Sequence, residues 1–289
     1  MNAKGKVIAT DLDGTLFFPK RIFRMLTRRN KIFLRNFIDE GGRLLIVSGR
    51  NHLYLNKVKE KIKRQVDDCG CNSAFIDVDN KEIKNVALDN KRIKEVLIDI
   101  KKRFDVSGIF LMTESHNMIM PKKQFKFIHR IGYKFYELFQ GTYAEVRVKS
   151  DELIKQELDH GRVYKVMMFF GISKKTISIC MEANRRMREL YPDLEFSWCG
   201  ELIEITPKGC SKAEGIKQYL DYLKIKHHNV MVVGDSGNDI SMFRSFENSF
   251  CMSHASMKIR KYANHIIYSV SDLEKYLDKE EEIKGDKNL

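Results

Sequence analysis

The chain has 289 residues, of which 43% are hydrophobic and 31% are charged. This composition is typical of an ordinary globular protein, and the length suits one large core or two domains. The formal charge of +13 raises the possibility of a nucleic-acid partner. The basic residues are dispersed at helix-like spacings, as in Lys91, Arg92 and Lys94, which favours a solvated surface that attracts small anionic substrates.

Nothing in the sequence indicates a membrane or secreted protein. The longest apolar runs, such as Val166–Ile172, are too short to span a bilayer. Asp11 and Asp13 stand where a signal peptide would need its apolar centre. The six cysteines have neither the spacing of a zinc site nor that of a disulfide framework. We therefore expect a cytoplasmic protein without membrane attachment.

Strands and helices alternate in the first 80 residues. Lys6–Thr10 and Arg43–Val47 are short apolar runs that predict buried parallel strands. Between them, apolar residues recur at helical spacing and stop at Gly41-Gly42, which is typical of a helix end. A further helix is predicted over 52–66 and a short strand over 74–76. This order indicates a parallel sheet with right-handed crossovers.

From about residue 80 to 195 the pattern changes, and we expect an α+β insertion packed beside the first domain. Its predicted helices cover 93–104, 125–139 and 174–190, and its predicted strands lie within 107–120 and 163–170. A strand with one wet face is then predicted over 201–205. The parallel-sheet pattern returns with a helix over 212–223 and a strand over 229–233.

Polar side chains follow three of the predicted parallel strands at the point where each ends. They are, strand by strand, Asp11 and Asp13, then Ser48, Gly49 and Arg50, and then Asp235, Asn238 and Asp239. Ligands of open α/β sheets bind at this edge. If the strands are neighbours, four carboxylates converge there and raise each other's pKa values unless a divalent cation neutralises them. Oxygen ligands with a phosphate suit Mg²⁺.

Four segments, in chain order, resemble the motifs of the haloacid dehalogenase (HAD) superfamily, and most of all its Cof-type phosphatases with a large C2-type cap. They are Asp11–Leu16, Ile46–Arg50, Ile205–Lys212 and Gly234–Met242. The resemblance covers essentially the whole chain. Two segments depart from the family pattern: Asn72-Ser73-Ala74 replaces the usual Asn-Gly-Ala, and His254-Ala255 replaces a Gly-Asn-Ala-like turn.

The resemblance implies an α/β fold with two domains. The Rossmann-like parallel-sheet core would cover 1–79 and 197–289. The inserted α+β cap would cover 80–196.

It also implies roles for the acidic residues. Asp11 would attack phosphorus and form an aspartyl-phosphate. Asp13 would protonate the leaving oxygen and then deprotonate the water that hydrolyses the intermediate. Mg²⁺ would be held by the side chains of Asp11 and Asp235 and by the main-chain carbonyl of Asp13, with Asp239 supporting the metal shell.

The phosphoryl oxygens would be held by the Ser48 hydroxyl, by the backbone N–H at Gly49 that follows it, and by Lys212. Asn238 would help to hold Lys212 or the phosphate. Two alternatives stay open here. Ser48 alone could be a simple helix cap, and Lys208 competes with Lys212 because it lies four residues earlier.

The substrate cannot be read from the motifs, because specificity would lie in the cap. Arg50 either touches the substrate or is a surface cation. Polar or aromatic candidates for cap contacts are Met112, Glu114, His116, Tyr143 and Trp198.

Three functions are compatible with these observations. The first is a Mg²⁺-dependent phosphatase of small phosphorylated metabolites, sugar phosphates above all, acting as a monomer or weak dimer. The second is a phosphomutase or phosphotransferase of the same fold. The third is a basic nucleic-acid-binding protein on this scaffold, and the complete set of catalytic residues argues against it.

Overall fold

The computed structural model describes residues 2–18, 26–122, 147–199 and 201–277. Its strands are β1 Val7–Thr10, β2 Arg43–Val47, β3 Asp67–Gly70, β4 Phe75–Val78, β5 Lys81–Asn85, β6 Gly108–Thr113, β7 Met118–Met120, β8 Arg147–Lys149, β9 Val163–Phe169, β10 Leu194–Cys199, β11 Leu202–Pro207, β12 Val230–Gly234, β13 Ser249–Met252 and β14 His265–Ile267.

The α-helices within 28–39, 52–62, 90–103, 174–190 and 212–223 lie close to predicted positions, whereas those within 151–160, 257–260 and 274–277 were not predicted. In chain order, the helices are α1 Arg28–Asp39, α2 His52–Ile62, α3 Asn90–Arg103, α4 Asp151–His160, α5 Lys174–Leu190, α6 Lys212–Leu223, α7 Ile240–Ser245, α8 Met257–Arg260 and α9 Glu274–Leu277. The side chains of Thr27, Asn51 and Ser211 accept hydrogen bonds from first-turn N–H groups of α1, α2 and α6. Such caps define where a helix starts.

The first sheet has eight described strands in the order β14-β13-β12-β1-β2-β3-β4-β5. The pairs from β14 to β3 are parallel, and the last two pairs are antiparallel. Strand β1 is buried on both faces, because Ile8 packs with α1 and α2 while Val7 and Ala9 pack with α6 and α7. The predicted parallel core is therefore present, with β1 near its centre.

The second sheet has six described strands in the order β10-β11-β9-β6-β7-β8. Helices α3 and α5 cover one face through a buried apolar cluster. The opposite face packs on the core, where Met112 and Met167 share a cluster with Cys71, Ala74 and Cys210. The predicted fold class, a parallel-sheet α/β core with an inserted α+β cap, is confirmed.

Sheet pairing bears on the predicted domain boundaries at 79/80 and 196/197. Strand β5 pairs with β4, so residues 81–85 belong to the core sheet. Strands β10 and β11 pair with each other and with β9, so residues 194–207 belong to the cap sheet. We therefore propose that the cap runs from about 86 to about 207. The alternation of 201–205 fits either sheet, so the sequence pattern alone does not locate this junction.

Some predictions fall on other residues. The predicted helix over 125–139 and the candidate contact Tyr143 lie outside the described residues. Within the described ranges, no helix combines the length and the apolar character needed to cross a bilayer.

Candidate active site

The acidic loops after β1 and β12 are adjacent because these strands are parallel neighbours. Thr10 is in register with Val233, and the Asp11 N–H donates to the Val233 carbonyl at 2.8 Å. Asp11 and Asp235 therefore follow their strands at the same edge of the sheet. The turn after Asp11 needs Gly14, whose φ of +85° is unfavourable for other residues.

A buried lysine bridges two of the carboxylates. Lys212 Nζ lies 2.6 Å from Asp11 Oδ1 and 2.6 Å from Asp239 Oδ1. The exposed fractions of the three side chains are 1%, 7% and 0%. The competing Lys208 is 62% exposed and lies 4.0 Å from Glu195. The structure thus brings Lys212, and not Lys208, against the acidic cluster.

Asp239 orders the last acidic loop. Its Oδ2 accepts hydrogen bonds from the N–H groups of Asp235 and Ser236, both at 2.8 Å, and from the Ser236 hydroxyl. With Lys212 on Oδ1, both of its oxygens already have donors. Asp239 is therefore better placed to support the acidic loop than to bind a metal ion directly.

Asp235 is oriented by two further side chains. Thr15 Oγ1 donates to its Oδ1 at 3.1 Å, and His254 Nε2 lies 3.2 Å from its Oδ2. The His254 ring stacks on Phe18, with ring centroids 4.0 Å apart. Neither Thr15 nor His254 was among the predicted site residues, although the departure from the family pattern at His254 marked that turn.

Charge is concentrated in this cluster. Burial raises the pKa of Asp11 well above its usual value; Lys212 opposes the rise, and Asp239 and Asp235 add to it. Burial and then Asp239 also raise the pKa of Asp235, while His254 opposes the rise. Burial disfavours the charged form of Lys212, but Asp11 and Asp239 outweigh it, so the pKa of the ammonium is raised.

The same cluster fits a metal ion. Asp11, Asp235 and Asp239 each offer a carboxylate oxygen, and these atoms all lie within 4.8 Å of one another. One buried ammonium faces three carboxylates, so negative charge is left in excess at a buried position. A hard divalent cation would compensate it, since all the donors are oxygen atoms.

The Ser48–Arg50 loop follows β2, the other parallel neighbour of β1. The Ser48 side chain is buried, and its hydroxyl accepts a hydrogen bond from the Arg50 N–H at 3.1 Å. Asn51, and not Ser48, caps helix α2. The loop lies one strand away from Asp11, at the same edge of the sheet.

Asp13 and Arg50 form an ion pair with two contacts. Arg50 Nε lies 2.7 Å from Asp13 Oδ2, and an Arg50 terminal nitrogen lies 3.0 Å from Oδ1. The guanidinium also lies over the Tyr54 ring. Arg50 is buried, so it is not the surface cation that was one alternative; it holds Asp13.

Other predicted residues contact different groups. Asn238 Oδ1 accepts from the Ser236 hydroxyl at 2.6 Å and shows no described bond to Lys212. Glu114 lies 3.3 Å from Arg162, and His116 lies 3.2 Å from Glu157. Among the described residues, neither cap side chain contacts the acidic cluster. Met112 is buried in the interface with the core, and the Trp198 carbonyl lies close to Gly237.

Gly14 gives a direct test of the packing around Asp235. A Cβ on Gly14 would lie 2.3 Å from Asp235 Oδ2. We expect Gly14→Ala to displace that carboxylate and to lower catalytic efficiency on the order of 100-fold. Phosphate release measured against Mg²⁺ concentration should show a raised half-maximal concentration.

The matched control is Gly5→Ala. Gly5 has a φ of +74°, and its Cβ would meet nothing within 4 Å. Both variants carry a left-handed backbone cost of about 1–2 kcal/mol. Only Gly14→Ala adds a clash with Asp235. If both variants lowered phosphate release equally, the role of Asp235 in the site would be contradicted.

Known proteins match the chain over most of its length. The family model of the haloacid dehalogenase-like hydrolases matches residues 8–274. Pyridoxal phosphate phosphatase YbhA from Escherichia coli is 22% identical over 278 residues, covering 91% of this chain and 93% of that protein.

Solved structures have the same fold. A haloacid dehalogenase-like hydrolase from B. subtilis has a TM-score of 0.76 at 20% identity and covers 94% of this chain and 99% of that one. The HAD subclass IIB sugar phosphatase BT4131 has a TM-score of 0.72 at 19% identity, covering 94% and 98%. The predicted enzyme class, a hydrolase of phosphate esters, is confirmed. The chain belongs to the haloacid dehalogenase-like hydrolase family.

Proposed function

We propose that the protein is a Mg²⁺-dependent phosphatase of small phosphorylated metabolites, with sugar phosphates as the leading substrate class. The observation that carries this proposal is the buried Lys212 bridging Asp11 and Asp239 beside Asp235. Phosphoryl transfer requires positioning and charge stabilisation above all, and this cluster supplies both. The substrates in the names of YbhA and BT4131 are phosphorylated small molecules.

In the first step, an Asp11 carboxylate oxygen attacks phosphorus. The new bond joins that oxygen to phosphorus, the bond from phosphorus to the leaving oxygen breaks, and the Asp13 carboxyl gives its proton to that oxygen. Lys212 and the Ser48 loop hold the phosphoryl oxygens. The ion pair with Arg50 favours charged Asp13, so this pair must loosen before Asp13 donates a proton.

In the second step, water attacks phosphorus and the bond between phosphorus and Asp11 breaks. Charged Asp13 takes the proton from that water, and inorganic phosphate leaves. The ion pair with Arg50 stabilises Asp13 in the state that this step requires. Asp11 and Asp13 then return to their starting forms.

The side chains of Asp11 and Asp235 and the main-chain carbonyl of Asp13 would hold Mg²⁺, with Asp239 as support. Bound there, the ion would supply positive charge for the developing charge on the phosphoryl group. Thr15 and His254 fix the orientation of Asp235 for this task.

The testing experiment is phosphate release from a panel of phosphorylated metabolites with Mg²⁺, with EDTA, and after Mg²⁺ is restored to the EDTA-treated protein. We expect release from at least one substrate, near-complete loss in EDTA, and recovery with Mg²⁺. Folded protein that releases no phosphate from any member with Mg²⁺ present would contradict the proposal. Transfer of phosphate to a second sugar hydroxyl would indicate the mutase alternative instead.

A further inference from the structure

The main-chain carbonyls of the Ser48–Arg50 loop are held from outside the loop. Those of Ser48 and Arg50 accept hydrogen bonds at 3.1 and 2.8 Å from N–H groups of the Cys71–Asn72 turn. The Gly49 carbonyl accepts from Lys165 Nζ. Lys165 belongs to β9 of the cap sheet, so the cap directly holds the central peptide of this core loop.

Lys165 is fixed by a buried network that returns to the core. Its Nζ lies 2.8 Å from Glu204 Oε1, and Glu204 Oε2 accepts from Asn72 Nδ2 at 2.6 Å. All three side chains are buried. The network therefore joins cap strands β9 and β11 to the turn that holds the Ser48 carbonyl.

The ion pair of Lys165 and Glu204 is buried, with side-chain exposed fractions of 1% and 7%. Burial disfavours the Glu204 carboxylate, but Lys165 and the Asn72 hydrogen bond outweigh it and hold the pKa of Glu204 below its usual value. A buried ion pair contributes little net stability, because desolvation offsets the attraction between its charges. Positioning of the loop is the more consistent explanation for this pair.

Two peptide planes flank Gly49, and both are fixed through their carbonyls. Gly49 is the loop residue with the greatest backbone freedom. The Ser48 N–H donates to Cys69, and the Arg50 N–H donates to the Ser48 hydroxyl. The Gly49 N–H donates to no residue that the structure describes, so it is the main-chain donor of this loop that can bind a ligand.

We propose that Lys165, held by Glu204 and Asn72, is a positioning residue for phosphate binding. Lys165 fixes the peptide that follows Gly49, while the Asn72 N–H fixes the peptide that carries the Gly49 N–H. Held on both sides of Gly49, the loop presents this N–H to a phosphoryl oxygen, and the contact with Lys165 couples the orientation of the cap to the geometry of the loop. Lys165 itself does not touch the substrate. This inference rests on the proposed phosphatase function.

The test is the double variant Lys165→Met/Glu204→Gln, which removes both charges and leaves neither buried alone. Its readouts are kcat and KM on the substrates found with the wild type, orthovanadate binding with Mg²⁺ by calorimetry, and the melting temperature. We expect kcat/KM and vanadate affinity to fall on the order of 10- to 100-fold. The factor should be similar for substrates with different leaving groups, with the melting temperature near that of the wild type.

The matched control is Lys94→Met/Asp159→Asn, which removes a 2.9 Å ion pair between two cap helices far from the loop in both sequence and contacts. It should leave kinetics and vanadate binding unchanged. A folded Lys165→Met/Glu204→Gln variant with kcat and vanadate affinity within twofold of the wild type would overturn the inference.

Two further outcomes are decided separately. If the double variant does not fold, vanadate binding is measured on Glu204→Gln instead, because this variant keeps the size of the side chain and removes only the charge. Vanadate affinity equal to that of the wild type would overturn the inference. A wild type that binds vanadate and hydrolyses nothing contradicts the phosphatase alone. A wild type that does not bind vanadate overturns both.

Discussion

Asp11→Asn is expected to abolish phosphate release, lowering turnover on the order of 10⁴-fold or more. The amide is nearly the same size as the carboxylate but is a poor nucleophile, so the bond to phosphorus does not form. Asp11 lies at the end of β1 beside Lys212 and Asp235, where a phosphoryl group would be held on several sides. The measurement is phosphate release on the best substrate of the panel.

Acid quenching of a reaction with ³²P-labelled substrate makes this test independent of turnover. Wild-type protein should retain label as an acyl phosphate, and Asp11→Asn should retain none. Asp13→Asn should still become labelled by an aryl phosphate, whose leaving group needs no proton, and should lose the label slowly. If mass spectrometry has excluded deamidation and the Asp11→Asn protein still carries label, Asp11 is not the nucleophile.

Asp39→Asn is the matched control for Asp11→Asn. Asp39 makes an exposed ion pair with Arg64 at 2.6 Å, and exposed pairs contribute about 0–1 kcal/mol. Labelling and turnover should remain at the wild-type level. A comparable loss in this variant would indicate a general defect of the preparations.

Part of the convergence of the acidic loops was predictable, because strand direction places them at one edge of the sheet, and the pairing of β1 with β12 and β2 then makes them adjacent. Once 6–10, 43–47 and 229–233 are recognised as parallel strands, the residues after them share one edge of the sheet. The structure also places Lys212, and not Lys208, beside the acidic cluster, since Lys212 opens α6. Local sequence patterns therefore predicted much of the core and the edge of the sheet at which its charged groups lie.

Strand β3 shows where pattern reasoning fails. It contains Asp67 and Asp68, which an apolar-run criterion rejects, yet both are buried. Arg43 lies 2.7 Å from Asp67, and Lys59 lies 2.7 Å from Asp68. These partners come from β2 and α2, so compensation of the buried charge depends on tertiary contacts that the local sequence does not contain.

The network of Lys165, Glu204 and Asn72 was missed for the same reason. Each residue reads as an ordinary polar position in its own segment, and Asn72 and Glu204 are 132 positions apart. The unusual Asn72-Ser73-Ala74 segment was a partial signal in the sequence. In the structure, Asn72 and Ser73 both adopt positive φ, at +56° and +77°. Strained backbone of this kind is concentrated at functional sites.

Lys212→Met is expected to impair both folding and catalysis. The substitution removes the only described ammonium within 2.6 Å of Asp11 and Asp239 and leaves two buried carboxylates without their partner. Breaking a buried pair in this way costs about 3–5 kcal/mol. For a chain of this size, that corresponds to a fall in melting temperature on the order of 10 °C. Phosphate release should be lost even where the protein is folded.

Mg²⁺ separates the two effects, because a cation at the carboxylates would compensate part of the missing charge. The fall in melting temperature should be larger in EDTA than in Mg²⁺, while turnover stays low in both. Lys212→Arg should recover more stability than activity, since a guanidinium keeps the charge but not the compact geometry of the ammonium. Equal melting temperatures in EDTA and Mg²⁺ would argue against a metal at this cluster.

Lys208→Met completes the comparison. Lys208 lies four residues before Lys212 and is exposed, and within the described part of the chain its ion-pair partner is Glu195, at 4.0 Å. Its loss should leave stability and turnover close to the wild type. If Lys208→Met lost activity and Lys212→Met retained it, phosphate binding would have to be reassigned to the exposed lysine, and the buried one would only neutralise charge within the fold.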